Sequence, residues 1–428
     1  MKILISYIIL IISVLQLFSC KKESEKPSPT PHIEQDKSAE LSIVWKNWIY
    51  NDSAGAFIYS PRFAGDYVAI YSFMPYHNNS GKLGMVIYDK ETGEPHPAWN
   101  HEPNFNVNST SDWEIGGENK DIVVILSGRT LYAYDINTAQ EIWTKYSGTE
   151  EVFMPEINSF GDDLFVGIKP EGIENAWGKL VKMNIKTGKQ EEILKIDSVS
   201  GYSVLLYPPS IEIMPSGDTL LIFQNRQLNF GTSDGKIDIY AYNMTADSML
   251  WIVDDLTSSG NSSVMEGIIT EDHKYLFQGS KSIHCIDITN GEILWEDKYQ
   301  IASFFQTHNL YADGKVFLNS ETGAIICYDV ASGNRLWYNT KEDATPAGET
   351  MGYYDGKLYM SAIPTENQGI PVEHSFSFKC ISASNGEVLW SSKRGSSGVI
   401  IDQQTGYLYV GTGFTLMCID LNKTPVMK

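Results

Sequence analysis

The sequence predicts an all-β fold, an eight-bladed β-propeller closed by its own N-terminal strand. Three observations carry this. A short signature recurs eight times, a turn-and-strand marker precedes each copy, and the last copy lacks a final strand that the chain supplies near its start. Composition agrees: 42% of the 428 residues are hydrophobic and 20% charged, a globular balance. Aromatics make up 12%, with 24 Tyr and 10 Trp, and such side chains favour pleated, half-buried surfaces. Lys and Arg number 32 against 53 Asp and Glu, a net charge of −21, so the average field repels a polyanion and no nucleic-acid partner is expected.

The chain opens with Lys2, an apolar run from Ile3 to Phe18, and Leu17-Phe18-Ser19-Cys20. The run is short for a bilayer span, and a small residue precedes Cys where cleavage of a secretory signal falls. The motif resembles the lipobox of bacterial lipoproteins, although Phe18 is bulkier than the residue usual at its position. That resemblance implies a signal peptide over 1–19, lipid attachment at Cys20, and a membrane association through that lipid. Lys21, where Asp would mark inner-membrane retention, implies an outer-membrane location. Residues 21–40 (KKESEKPSPTPHIEQDKSAE) have almost no apolar side chain to bury, so 20–40 reads as a flexible tether and 41–424 as a single propeller.

The eight signatures follow in order. They run from Asp89 to Trp99, Asp135 to Trp143, from Asn184 with no Trp, Asn243 to Trp251, Asp287 to Trp295, Asp329 to Trp337, Ser382 to Trp390, and from Asp420 to the end. Each reads as a strand, a tight turn and a second strand, in which Asp or Asn caps the turn backbone and a following Gly supplies positive φ. The preceding markers, such as AGDYVAI, SGDTLLI and DGKLYM, are hairpin turns followed by short apolar strands. Signature spacings of 46, 49, 59, 44, 42, 53 and 38 residues suit four-stranded blades. LSIVWKNW (41–48) is the missing strand, and pairing it with blade eight closes the ring without a free seam. Trp45, Trp99, Trp143, Trp251, Trp295, Trp337 and Trp390 then share one equivalent site, packing blade against blade.

This Asp-x-x-Thr-Gly…Trp signature resembles the tryptophan-docking repeat of quinoprotein-type (pyrroloquinoline-quinone-like) propellers, over nearly the whole chain after the tether. The resemblance implies one of two branches: quinone-dependent alcohol or glucose dehydrogenases, or non-catalytic members similar to the lipoprotein subunit of the outer-membrane β-barrel assembly machinery. The alcohol dehydrogenases carry an adjacent Cys-Cys pair beside the quinone and a Ca²⁺ ion held by carboxylate and amide oxygens. No Cys-Cys pair occurs here, and no cofactor is expected. Cys285, Cys327, Cys380 and Cys418 each precede the signature residue by two, one per blade, at a separation too long for disulfides; they read as free core thiols, with no metal site. The eight His show no HExxH pairing, and the sequence has neither a phosphate loop nor a GxSxG elbow.

Function is therefore sought on the face where second and third strands of each blade connect. Those connections are long in blades one, three, four and seven (about 72–82, 168–178, 224–236 and 362–374), and Tyr76, Trp177, Arg226 and Phe230 are their candidate contact residues. The starts of the innermost strands add Trp113, Glu156, Tyr207, Glu266, Phe305 and Glu349 as candidates for the mouth of the axial channel, a mixture suited to extended peptide or to sugars. The expected function is that of a non-enzymatic, lipid-anchored scaffold binding envelope proteins. The alternatives are a quinone-dependent dehydrogenase-like enzyme and a glycan-binding surface lipoprotein.

Overall fold

The computed structural model describes residues 41–48, 57–58, 60–74, 82–99, 112–173, 176–198, 201–229, 234–258, 267–279, 281–298, 309–319, 325–339, 344–345, 351–364, 377–392, 398–411 and 415–424. Cys20, Tyr76, Phe230, Glu266, Phe305 and Glu349 lie outside them. The described residues are all-β and form eight antiparallel sheets, each built from consecutive stretches of chain, except the one that joins the two ends. In that sheet Gly398–Asp402, Tyr407–Gly411 and Thr415–Asp420 are completed by Ile43–Trp48, with Ile43 opposite Ile419 and Trp48 opposite Thr415. The expected eight-bladed ring and its closure by the N-terminal strand are thus what the chain forms.

Each blade reads from the axis outward as strands one to four, and one hydrophobic cluster lies at each blade interface. Blade eight meets blade one through Trp45, Tyr409, Leu416, Cys418, Val68, Ile70 and Tyr88. Blade two meets blade three through Val124, Leu131, Ala133, Leu164, Val181 and Met183. Because every sheet packs against a neighbour on both faces, its middle strands are apolar in consecutive residues: Ile122–Leu126 are all at most 4% exposed.

The signature turn explains the interlock. In blade two the Asp135 carboxylate accepts the Thr138 N–H (2.8 Å) and hydroxyl (3.0 Å), and the backbone then needs positive φ one residue later. Gly93, Gly188, Gly291, Gly333 and Gly386 meet that need with φ between +67° and +78°. They also form the seat for the preceding blade's indole: a β-carbon on Gly93 would fall 2.6 Å from the Trp45 ring, and one on Gly188 or Gly291 2.9 Å from Trp143 or Trp251. Next to the seat, six indole N–H groups donate to the carbonyl of the residue after the signature position in the following blade. Trp45 reaches Lys90 (3.0 Å), Trp143 Ile185 (2.7 Å), Trp251 Ile288 (2.7 Å), Trp295 Val330 (2.8 Å) and Trp337 Ala383 (3.2 Å), and Trp99 makes the same bond to Ile136.

One junction departs from this rule on both sides at once. The outer strand of blade three, Gln190–Ile196, has no Trp, and the facing turn of blade four carries Asp247 (φ +51°) where the seat glycine belongs. Ile193, Leu194 and Ile196 pack there against Tyr240 and Tyr242, and Tyr242 donates its hydroxyl to Asp247. Peg and seat are missing together.

The four cysteines sit where the repeat places them. Cys285, Cys327, Cys380 and Cys418 stand directly across the ladder from Trp295, Trp337, Trp390 and Trp45, and all are free and fully buried. Burial pushes each thiol up to about 12, so the reactive thiolate is scarce at neutral pH.

Candidate interaction face

The two faces of the ring differ in construction. Signature turns and the turns between first and second strands lie on one, here called the turn face. The connections between second and third strands and between blades lie on the other. On that second face blades one, three, four and seven stand taller than the rest. Their second strands are Tyr67–Met74, Asp163–Pro170, Thr219–Asn229 and Lys357–Pro364, eight to eleven residues long. Those of blades two, five, six and eight are Ile122–Ser127, Lys274–Gln278, Lys315–Asn319 and Tyr407–Gly411, five or six residues long.

In the same four blades the innermost strand is interrupted halfway. Blade one has Phe57–Ile58 and Arg62–Ala64 around Pro61, and blade four has Ser203–Leu206 and Ser210–Ile213 around Pro208-Pro209. In blade three the register shifts between Phe153 and Ile157, at Met154-Pro155-Glu156, and in blade seven Ala344–Thr345 and Met351–Tyr354 both pair with the second strand. Proline has no N–H for the ladder, so it is accommodated where an innermost strand is interrupted, its first part pairing with the upper half of the second strand and its second part with the half nearer the turn face. Among the described residues the result is an upper tier on four blades. In a ring of eight, blades three and four form a wall, blades seven and one rise on either side of blade eight, and among the described residues the face is low over blades two, five, six and eight.

The candidates fall differently on this frame. Trp177 is half-buried on the wall of blade three, with the Lys195 ammonium 4.7 Å and the Lys179 ammonium 5.2 Å from its ring, and Lys179 held by Glu151 at 2.9 Å. Glu156 at the blade-three bulge, Tyr207 at the blade-four bulge and Arg226 on the next strand form one electrostatic group. Burial raises the Tyr207 phenol, Glu156 acts in the same sense, and Arg226, hydrogen-bonded to it, opposes them.

Two residues expected at the channel mouth are core side chains instead. Trp113 is 3% exposed, stacked on Tyr71 at 6.0 Å and covered by the Arg62 guanidinium at 4.9 Å. Tyr207 is 5% exposed and packs with Met154 and Leu205. Innermost strands present their side chains to the neighbouring blades rather than to the axis, which buries an aromatic there.

The sequence reading missed a run of polar contacts that joins the innermost strands of blades one to five. Arg62 of blade one pairs with Glu114 and faces Asp112 (3.8 Å), both in blade two. Asp112 accepts the N–H groups of Trp113 (2.8 Å) and, across the interface, Ile157 (2.9 Å), just beyond the blade-three bulge. Asn158 donates to the Pro209 carbonyl (2.9 Å), and Ser210 to that of Gly267 (2.6 Å). Burial pushes the Asp112 carboxyl up to about 6 against the pull of Arg62 and the two backbone donors, with Glu114 adding to the rise.

A raised carboxyl means that the fold favours the protonated form. That contribution is complete below the unfolded value of 3.8 and disappears as pH rises through about 6. Asp112→Asn is therefore expected to gain on the wild type at pH 7 by on the order of 1–2 kcal/mol relative to their difference at pH 5. Chemical denaturation of both proteins at the two pH values checks this, and a pH-independent difference would contradict it.

The described axial residues do not fit a quinone with its calcium ion. Arg62 and Asp112 are engaged with each other and with this run of contacts, prolines occupy the bulges of blades one, three and four, and among the described residues no three His, Cys, Asp or Glu side chains converge on one point.

Comparison with known proteins bears on the fold. Residues 235–360 match the family model described as Outer membrane protein assembly factor BamB. No curated protein matches the chain. Among solved structures, BamB from Moraxella catarrhalis aligns with a TM-score of 0.54 at 12% identity, covering 90% of this chain and 99% of that one. A europium-containing methanol dehydrogenase gives 0.66 at 12% identity, covering 92% and 96%. Quinohemoprotein alcohol dehydrogenase from Comamonas testosteroni gives 0.61 at 11%, covering 94% and 79%. At such identities the likeness is one of architecture, and the chain shares the quinoprotein-type propeller plan with both the assembly factor and the dehydrogenases.

Proposed function

We propose that the chain is a non-enzymatic, lipid-anchored scaffold of the bacterial cell envelope that binds a protein partner on the upper tier, with Cys20 as its lipid attachment and the outer membrane as its location. The observation that carries this reading is the coordinated heightening of blades one, three, four and seven. Among the described residues, second-strand length and the interruption of the innermost strand change together in these four blades and in none of the others. A rigid ring that raises selected blades on one face offers a shaped surface without disturbing its core. Trp177, a half-buried indole between two lysines, has the character of an anchor for a protein partner. The family match over 235–360 supports the scaffold branch, and the described axial residues give the dehydrogenase branch no cradle.

A photo-crosslinking residue at position 177 in the acylated protein tests the reading. It is expected to capture one discrete envelope protein, and Arg226→Glu on the same wall to reduce capture at least about tenfold, the size of one lost hot-spot contact. The same probe at Glu91, on the turn face, should capture nothing. No discrete adduct at 177, together with dye-linked alcohol oxidation on addition of quinone and Ca²⁺, would reverse the assignment in favour of the enzyme.

A further inference from the structure

We propose that the ring stands with its turn face toward the bilayer and its upper tier directed away from it, separated from anionic headgroups by a layer of like charge. This rests on the lipid-anchored reading above.

The point where the tether leaves is set by strand pairing. Ile43–Trp48 runs antiparallel to Thr415–Asp420, so its first residue lies beside the signature turn of blade eight. Two bonds hold the chain there: Ser42 N–H donates to Thr424 Oγ1 (3.2 Å), and Asp420 N–H donates to the Ser42 carbonyl (2.9 Å). Leu41 packs with Leu421 and Trp390. The segment back to Cys20 therefore departs from the rim of the turn face. A polar, proline-rich tether of the expected composition would span roughly 25 Å on average over about twenty residues, so pull from a lipid at Cys20 would be felt at this rim and not on the opposite face.

The charge distribution gives that face its second property. Its sixteen turns and the strand ends that flank them carry twenty-two carboxylates against eight lysines and one arginine, and two of those lysines, Lys274 and Lys357, pair with Asp272 and Asp355. Most of the chain's net charge of −21 thus sits on one side of the ring. Several of these carboxylates are held as anions: hydrogen bonds to Thr92 lower Asp89, those to Ser332 lower Asp329, and Lys274 with Thr270 lowers Asp272. Within a Debye length of about 8 Å such a surface is repelled by anionic headgroups. The tether holds the turn face near the bilayer while its charge keeps it from settling there, which leaves the upper tier unobstructed.

Energy transfer in vesicles tests this. The acylated protein is given one added cysteine, Glu91→Cys on the turn face or Asp197→Cys at the far end of the outer strand of blade three, both exposed. A donor dye then goes to the added residue alone, because the four native propeller thiols are buried and Cys20 carries the lipid. With acceptor in the headgroups of zwitterionic vesicles, transfer from position 91 should exceed that from 197 about twofold or more, given a tether reach of roughly 25 Å. Adding anionic lipid should lower transfer from 91, and salt should restore it. Equal or reversed efficiencies, or no response to anionic lipid, would overturn the orientation while leaving anchoring intact. Failure of the acylated protein to float with vesicles would overturn the anchored reading and the orientation with it.

Discussion

Deleting residues 41–48 is expected to abolish the single cooperative melting transition of the propeller, and Trp45→Ala alone to cost about 3–5 kcal/mol, the range for truncating a large buried aromatic. The strand supplies the outer edge of blade eight and the Trp45 indole at the junction of blades eight and one. Without it Tyr409, Leu416 and Cys418 lose their cover, the Lys90 carbonyl loses the indole donor and keeps the Tyr409 hydroxyl, and Asn47 no longer reaches the Gly93 carbonyl. Against a total stability of roughly 5–15 kcal/mol for a folded domain, such a loss is decisive. Differential scanning calorimetry of the two variants checks it. A deleted chain that still melts in one transition within a few degrees of the wild type would show that the ring does not depend on this closure.

Gly291→Ala is expected to destabilise the protein by about 2–4 kcal/mol, while Gly314→Ala costs only about 1 kcal/mol. Both glycines have positive φ, +78° and +68°, so both substitutions carry the same backbone penalty. They differ in surroundings. A β-carbon at 291 falls 2.9 Å from the Trp251 ring, whereas one at 314 meets nothing within 4 Å. The larger loss therefore measures the displaced indole and its bond to Ile288. Denaturant titration of the pair isolates this difference, and equal losses would refute the interlock. Ala139 (φ +56°) in blade two already carries the methyl group, and it faces Trp99, whose approach from Asp89 is two residues longer than in the other copies.

The ring was legible because its determinants are local and repeated. An Asp-capped turn, a seat glycine and a Trp at fixed spacing each have a physical reason detectable within fifteen residues, and the incomplete eighth copy pointed to the strand at 41–48. The run of contacts through Arg62, Glu114, Asp112 and Ile157 was not legible, since its members are about fifty residues apart and meet only when adjacent blades pack. Trp113 and Tyr207 were misplaced for a related reason: a position on the innermost strand does not say which neighbouring blade receives the side chain. The interruptions at Pro61, Pro155 and Pro208-Pro209 had a readable signal, because proline within an apolar run marks a bulge or an edge.

The missing peg between blades three and four has an implication for how this chain tolerates rearrangement. At the other seven junctions an indole packs in the interface, so new termini cut there would sever a fitted joint. A circularly permuted gene that begins near residue 199 would instead open the wheel where no such joint exists, while the old ends become one continuous linker. The same wheel would then carry its lipid on the opposite rim.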